Sequence, residues 1–576
     1  MVRMPCRESL FLWVALLIQG LLFITITPLW EGFDEPFHYA YIQGLAESGE
    51  LPVFTKSMLS REVARSFEIT PLSEALNINL GGGYLTFDAW WRLPESVRRE
   101  RAQSLRALKS EMEANAGMNS TVSNYEAHQA PLYYLIAVPI YRLTAPLTLT
   151  GRVFCLRLFT LLIGSLTLFV LAAAARKTVP DGTGRRTALF MAALMPMFVV
   201  TAARISNDAL AILLSSLTIW LVLDYFATGS TLRQAFLIGG VLGLGLLTKA
   251  YLLAVLAAIM AVFLWATVVS ADRRRMLRHL AAIVLTAAVM SGWWYARNYL
   301  LYGNVSGMQE LTRTAGLSVA DRLRQLGAVP WLDSMRIMIR QHIWVGNNSF
   351  MNLSGGLYEL GYLLIGIAAL GLGIGFLRLR GRSTARAFPR VPPEAARDSM
   401  GSQPADPRGI PIAAIFYATF LLATAYHMWQ SFLFIRIPGG TLGYYLYAAI
   451  LPELILLAYG LLSFPGRWTG RILSVAVVTY AATINLVAFF CKMIPYYSGF
   501  AVSRFHLQHL LTLYSPTTFG RILHRLALLQ AEWIGPGTIF FIAMLHLLSV
   551  TLAVWWFWRP GSSRAAPEKP AHPPDL

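Results

Sequence analysis

The sequence predicts an all-α polytopic membrane protein, with about 12–13 transmembrane helices and a large external loop after the first. Three observations carry that prediction. Of 576 residues, 56% are hydrophobic and 14% charged, against roughly 25% charged in an ordinary soluble domain. Apolar runs long enough to cross about 30 Å of hydrocarbon recur along the chain. None alternates apolar and polar residues as a barrel strand does, and a spanning segment must satisfy its own backbone groups, so each run is read as a helix.

The net charge of +18 needs no nucleic acid to explain it. Excess Lys and Arg collect in the cytoplasmic loops of membrane proteins, and no nucleic-acid recognition motif accompanies them. Cys6, Cys155 and Cys491 are isolated, which excludes a disulfide framework and a Cys/His zinc site.

The first span covers 9–29. It follows Arg3 and Arg7 as a signal sequence would, but Thr27-Pro28-Leu29-Trp30 offers no small-x-small cleavage site, so an uncleaved span is expected. The loop 31–130 opens on Trp30–Tyr41. There Pro36 suits a first helical position, with Asp34 or Glu35 as its cap. Phe37, Tyr41 and Leu45 recur one turn apart until Gly49, the pattern of an amphipathic helix on the membrane surface. A helix-like piece at 95–113, the turn Gly81-Gly82-Gly83 and the interfacial pair Trp90-Trp91 make this loop a folded external cap.

Further spans are expected near 131–147, 153–175, 187–205, 208–226, 235–249, 250–270, 280–301, 356–377, 411–430, 441–463, 472–494 and 537–558. Arg176-Lys177 with Arg185-Arg186, Arg273-Arg274-Arg275, the Arg-rich 378–410 stretch, and Arg467 with Arg471 mark the cytoplasmic side. Loops 31–130, 302–355, 431–440 and 495–535 then lie opposite. A full crossing by 131–147 would put 176–186 on the wrong side, so that segment is partial or re-entrant, or the charge rule fails at one loop. Residues 1–377 form one membrane module that includes external loops 31–130 and 302–355. Residues 378–410 read as a disordered cytoplasmic linker, 411–558 as the C-terminal spans, and 559–576 as a disordered tail.

Three polar constellations stand out. Asp34-Glu35 with His38 one turn on has a bland reading as a helix cap and a functional one as a base or divalent-cation ligand. Glu126, His128 and Gln129 crowd the point where the chain re-enters the membrane at Pro131, beyond what an aromatic belt at Tyr133-Tyr134 explains. Arg204 with Asp208, then Lys249, then Arg297-Asn298, put ionisable groups at the external ends of spans. Snorkelling accounts for Lys249 or Arg297 singly, whereas three cations on one face beside a carboxylate loop favour function. Carboxylate base and cation clamp together suit transfer of a sugar from a lipid phosphate. An acceptor hydroxyl loses its proton while charge builds on the departing phosphate. No P-loop or dinucleotide signature is present, so no nucleotide cofactor is expected.

Five stretches carry a resemblance. They are Gly32–His38, His128–Tyr134, Ser206–Ala209, Leu246–Lys249 and Trp294–Gly303. In order and spacing the chain resembles bacterial integral-membrane glycosyltransferases of the GT-C superfamily, the protein O-mannosyltransferase-like and aminoarabinose-transferase-like group, over roughly residues 9–310. The resemblance implies an inverting transferase in the cytoplasmic membrane with its active site on the extracytoplasmic side. The donor would be a polyprenyl-phosphate-linked sugar and the acceptor an envelope glycan, lipid or protein. It places Asp34 and Glu35 as catalytic base or as ligands of Mg²⁺ or Mn²⁺. His38, His128, Gln129, Arg204, Asp208, Lys249, Arg297 and Asn298 are expected to bind substrate. Two positions depart from the pattern: Ala130 stands where relatives often have proline, and the Gly-Arg-Tyr of the nearest relatives lacks its arginine around Gly439–Tyr445. A lipid or solute transporter and an inactive scaffold are the rival readings; a transporter would show paired repeats, and none is seen.

Overall fold

The computed structural model describes residues 7–108, 122–270, 272–381, 409–466, 468–500 and 512–559. Among these the secondary structure is helical, with two isolated β-bridges, Met58 to Ser123 and Leu72 to Thr86. All thirteen apolar stretches expected from the sequence are helical. Among the described residues ten helices are long and apolar enough to cross a membrane, or eleven with one bent pair counted as a span, fewer than the 12–13 expected because two of the apolar helices are short. In chain order they begin with α1 (Arg7–Ile26) and end with Pro536–Trp558. One further span is bent by 55°, where Gly182–Leu194 meets Pro196–Ala203; Pro196 has no N–H to continue the first helix. Two apolar helices are short, Leu132–Leu143 and Leu232–Leu246.

Those two short helices settle the direction of the chain. The 12 residues of Leu132–Leu143 reach about 18 Å, well short of a hydrocarbon core of about 30 Å. The crossing is made instead by the 30 residues of Leu149–Thr178. Leu232–Leu246, with 15 residues, is also short by this measure, but it runs from the end where Arg275 bonds the Ser230 carbonyl to the end where Lys249 meets Asp208. With Leu132–Leu143 removed from the count, the basic turns among the described residues fall on one face of the bundle. Contacts at that face agree, with Arg186 on Glu8 at 2.7 Å, Arg378 on the Ser463 carbonyl at 2.8 Å, and Lys177 paired with Asp224. The 12 residues of Leu132–Leu143 have the length expected of the partial-helix alternative for 131–147.

Glycines bring the helices to backbone contact. A Cβ on Gly371 would lie 2.1 Å from the Gly460 carbonyl oxygen, and one on Gly460 2.2 Å from that of Ala368. Gly239 and Gly243 do the same against Arg273–Tyr302. Small residues at such crossings replace the hydrophobic drive that lipid tails cannot supply. The opposite face of Arg273–Tyr302, with Leu285, Val289 and Trp293, is exposed and apolar, as a lipid-facing surface requires.

The expected cap is folded. It comprises α2 (Glu35–Ser48), α3 (Arg61–Ile69), α4 (Glu74–Asn79), α5 (Phe87–Arg92), α6 (Glu95–Ala107) and a 3-10 turn, Tyr125–His128. A buried ion pair, Glu62 with Arg152, ties it to the bundle. Two details correct the sequence reading. The helix α2 does not lie along a membrane surface, because 11 of its 14 residues are buried between cap and bundle. Trp90 is wholly buried and Trp91 packs on Gly499, so this pair fills the cap rather than marking an interface. The linker expected at 378–410 falls outside the described residues beyond Gly381, as do the tail beyond Arg559 and the end of 95–113.

Candidate functional site

Asp34 and Glu35 are neighbours that the backbone sends in opposite directions. Asp34 sits at φ 60, in the left-handed region, and its side chain makes no cap bond to α2. Asp tolerates this region better than most residues, and such strain collects at functional sites. The carboxylate instead accepts a bond from the Tyr125 hydroxyl and remains partly exposed. Burial pushes the Asp34 carboxyl above its ordinary range, opposed by that bond and by the charges of Arg204 and Lys249.

Glu35 is buried completely and gripped by Arg157, Nε to Oε1 at 2.8 Å and Nη2 to Oε2 at 2.6 Å. Arg157 also donates to the carbonyls of Thr27 and Pro28, and Oε1 accepts the Ile205 amide at 3.3 Å. Glu35 therefore locks the end of α1 to two other elements. This corrects its expected place as catalyst and metal ligand. Both its oxygens accept bonds from Arg157, whereas Asp34 accepts from Tyr125, so the two carboxylates serve different partners. Among the described residues no three His, Cys, Asp or Glu side chains are placed to hold one. Gly32 lets these strands of chain meet, since a Cβ there would come within 3.0 Å of Arg204 Cβ and 3.1 Å of Glu35 Cδ.

Arg204 and Lys249 do come together. Asp208 joins them, accepting from Arg204 Nη2 at 2.9 Å and from Lys249 Nζ at 2.5 Å, with the Ser206 hydroxyl at 2.8 Å. The guanidinium of Arg204 lies 3.9 Å over the Tyr444 ring, and its Nε and Nη1 are buried without a partner. Asp208 is thus a counter-ion to the two cations rather than a free ligand group.

Beside this triad lies a cavity of about 440 Å³, within the range of small-ligand sites. Glu126, His128, Gln129 and Lys249 line it on one side. Burial and the charge of Asp34 push the Glu126 carboxyl up to about 8, against the pull of Lys249. His128 Nδ1 lies 2.7 Å from the Tyr125 carbonyl, and Gln129 accepts from Asn207 at 3.2 Å. Asp34 does not itself line the cavity; it is bonded to Tyr125, next in chain to the lining Glu126.

Three expected ligand residues are placed elsewhere. Arg297 donates to the Pro52 carbonyl at 2.8 Å and lies 4.7 Å over Trp294; it braces the cap and is no part of the cation pair. Asn298 is buried beside Gly307, with neither side-chain atom hydrogen-bonded. His38 is 2.8 Å from the Tyr134 hydroxyl and buried, so it props that ring. The sequence reading also missed groups. Tyr444 and Tyr445, inside the stretch marked only by a lost arginine, supply the rings against Arg204 and Lys249. Arg157 had a signal available, as an arginine inside an apolar span.

Fold and site define a class: a multi-pass helical membrane protein holding a charged pocket between its spans and a folded cap. The chain belongs within that class to the DUF2142 family of predicted membrane proteins, whose model matches residues 17–385. No curated protein matches it. Among solved structures it is similar to ArnT from Cupriavidus metallidurans bound to undecaprenyl phosphate. The identity is 14% and the TM-score 0.46, over 95% of this chain and 76% of that one. The apo state of the same protein gives 15% and 0.43, over 95% and 75%.

Proposed function

We propose that this protein is an inverting glycosyltransferase of the cytoplasmic membrane. It moves a sugar from a polyprenyl phosphate to an acceptor hydroxyl on the extracytoplasmic side, where the cap lies. The observation that carries this reading is that Lys249 and Glu126 line one cavity, with Arg204 joined to Lys249 through Asp208 and Asp34 bonded to Tyr125, next in chain to Glu126. Cations suit the phosphate oxygens, and the two unpartnered N–H groups of Arg204 are unspent donors. Asp34 takes the proton of the acceptor hydroxyl as its oxygen bonds to the anomeric carbon. The bond from that carbon to the phosphate oxygen breaks, and the electron pair leaves on the phosphate beside Lys249. Glu126 keeps its proton at neutral pH, its carboxyl standing near 8, so it adds no negative charge beside the leaving group. Basic turns on the face away from the cap support the orientation.

The test is transfer of radiolabelled sugar from a polyprenyl-phosphate donor in proteoliposomes. Turnover without an ion gradient, abolished by Asp34→Asn, is the expected result. Full activity in that variant, or gradient-driven movement of label without transfer, overturns the proposal.

A further inference from the structure

The cavity has a second polar wall that the proposed chemistry does not use. It comes from the helix Gln309–Arg313 and from Gly409–Ile435 with the turn that follows it. Glu310 lines the cavity with its side chain 13% exposed and makes no side-chain hydrogen bond among the described residues. Facing it, His427 Nε2 lies 3.8 Å from Glu310 Oε1, beyond hydrogen-bond reach. The other ring nitrogen, Nδ1, is 2.7 Å from the Thr441 hydroxyl. A carboxylate withdrawn from water without donors is costly, so the partners of Glu310 have to come from the cavity itself. Trp294, Tyr426 and Tyr445 line the same space.

These groups have the chemistry of a carbohydrate site. If Thr441 donates to Nδ1, the imidazole carries its proton on Nε2, and that N–H points at the gap before Glu310. A ligand hydroxyl that bridges the two from the cavity side accepts from His427 and donates to Glu310, so one O–H answers both. The aromatic walls offer flat surfaces to the C–H face of a ring. We infer that Glu310, His427 and Thr441 form a subsite for the hydroxyls of a neutral sugar. The late half of the chain, with the turn at Gln309–Arg313, then reads the sugar, while Lys249 and Arg204 read the phosphate. This rests on the glycosyltransferase reading above and names the part of the donor that this wall recognises.

The test uses the full chain in nanodiscs and measures binding of farnesyl phosphate against farnesyl-phosphoryl glucose, galactose, mannose and an amino-sugar counterpart. At least one neutral-sugar probe is expected to bind about tenfold tighter than farnesyl phosphate, as one good charged hydrogen bond allows. Glu310→Gln and His427→Ala should each abolish that increment and leave farnesyl phosphate binding unchanged. Lys249→Met should weaken every probe alike. An increment that survives both wall substitutions overturns the inference, as does one confined to the amino sugar or none for any neutral sugar. Failure of wild type to bind farnesyl phosphate overturns the donor reading itself, and is distinguished by needing no variant to see it.

Discussion

Adjacent acids with opposite duties make the sharpest prediction. Asp34→Asn keeps an oxygen that accepts from Tyr125, and Asn tolerates the left-handed backbone as Asp does. It also removes a carboxylate whose charge burial disfavours. Its effect on stability should stay within roughly 0.5 kcal/mol, while activity is lost. Glu35→Gln does the reverse. It strands the Arg157 guanidinium in a site where arginine and glutamate are only 3% and 0% exposed. Breaking a buried pair by removing one partner costs about 3–5 kcal/mol. The Thr27 and Pro28 carbonyls still hold Arg157, which puts the expected loss toward the lower figure. Thermal unfolding in detergent reads this directly. Cys155 and Cys491 are unpaired and only partly buried, so a thiol-reactive dye reports their exposure. Melting of Asp34→Asn with wild type, and of Glu35→Gln several degrees below, is the expected result. If the two variants melt alike, or Glu35→Gln is stable yet inactive, the division of labour argued here is wrong.

Three further outcomes are expected. Burial pushes the Glu31 carboxyl up to about 7 from 4.5, although Ser349 and Tyr497 both donate to it. A raised carboxylate gives stability that is complete below the ordinary value and is lost as pH rises through 7, roughly 3 kcal/mol in all. Glu31→Gln keeps both acceptor bonds, so its melting temperature should vary less between pH 5 and 8 than that of wild type, and an unchanged slope refutes the assignment. Gly460→Ala places a methyl against the Ala368 carbonyl. Separation of the two helices should cost about 1–3 kcal/mol, seen as reduced yield and melting temperature; a neutral result means the helices are not so close. Reporter fusions at the two termini should label the same side of the membrane, because Leu132–Leu143 does not cross; opposite labelling would restore it as a span.

The spans were legible because a bilayer imposes a length and a composition that no packing detail overrides. All thirteen apolar runs are helices, and even the doubt at 131–147 had its answer among the stated alternatives. The folded cap and the meeting of Arg204 with Lys249 were legible for a related reason: ionisable groups at span ends are few, and the charge rule sorts them by side. Directions of side chains were not. Nothing in Asp34-Glu35 announces that one residue takes a left-handed backbone and its neighbour turns inward to Arg157, more than a hundred positions away. Arg297 looked like a third cation because it lies near the end of an apolar helix as the others do; only the position of Pro52 reveals that it serves the cap. His427 and Glu310 were invisible for the same cause, since one lies in a long apolar helix and the other in a five-residue helix between spans.

Asp208 has a consequence for how such a site turns over. Its carboxylate already pairs with Arg204 and Lys249, so the two cations stand in position, with one of their two charges balanced, before any ligand comes. On the proposed donor reading, an arriving lipid phosphate would have to share them with a competitor that is tethered in place and present at high effective concentration. The same competitor re-forms its bonds when the spent lipid phosphate loosens. Affinity is thereby capped at both ends of the cycle, and the protein resets itself from within, holding a lodger of its own between visits.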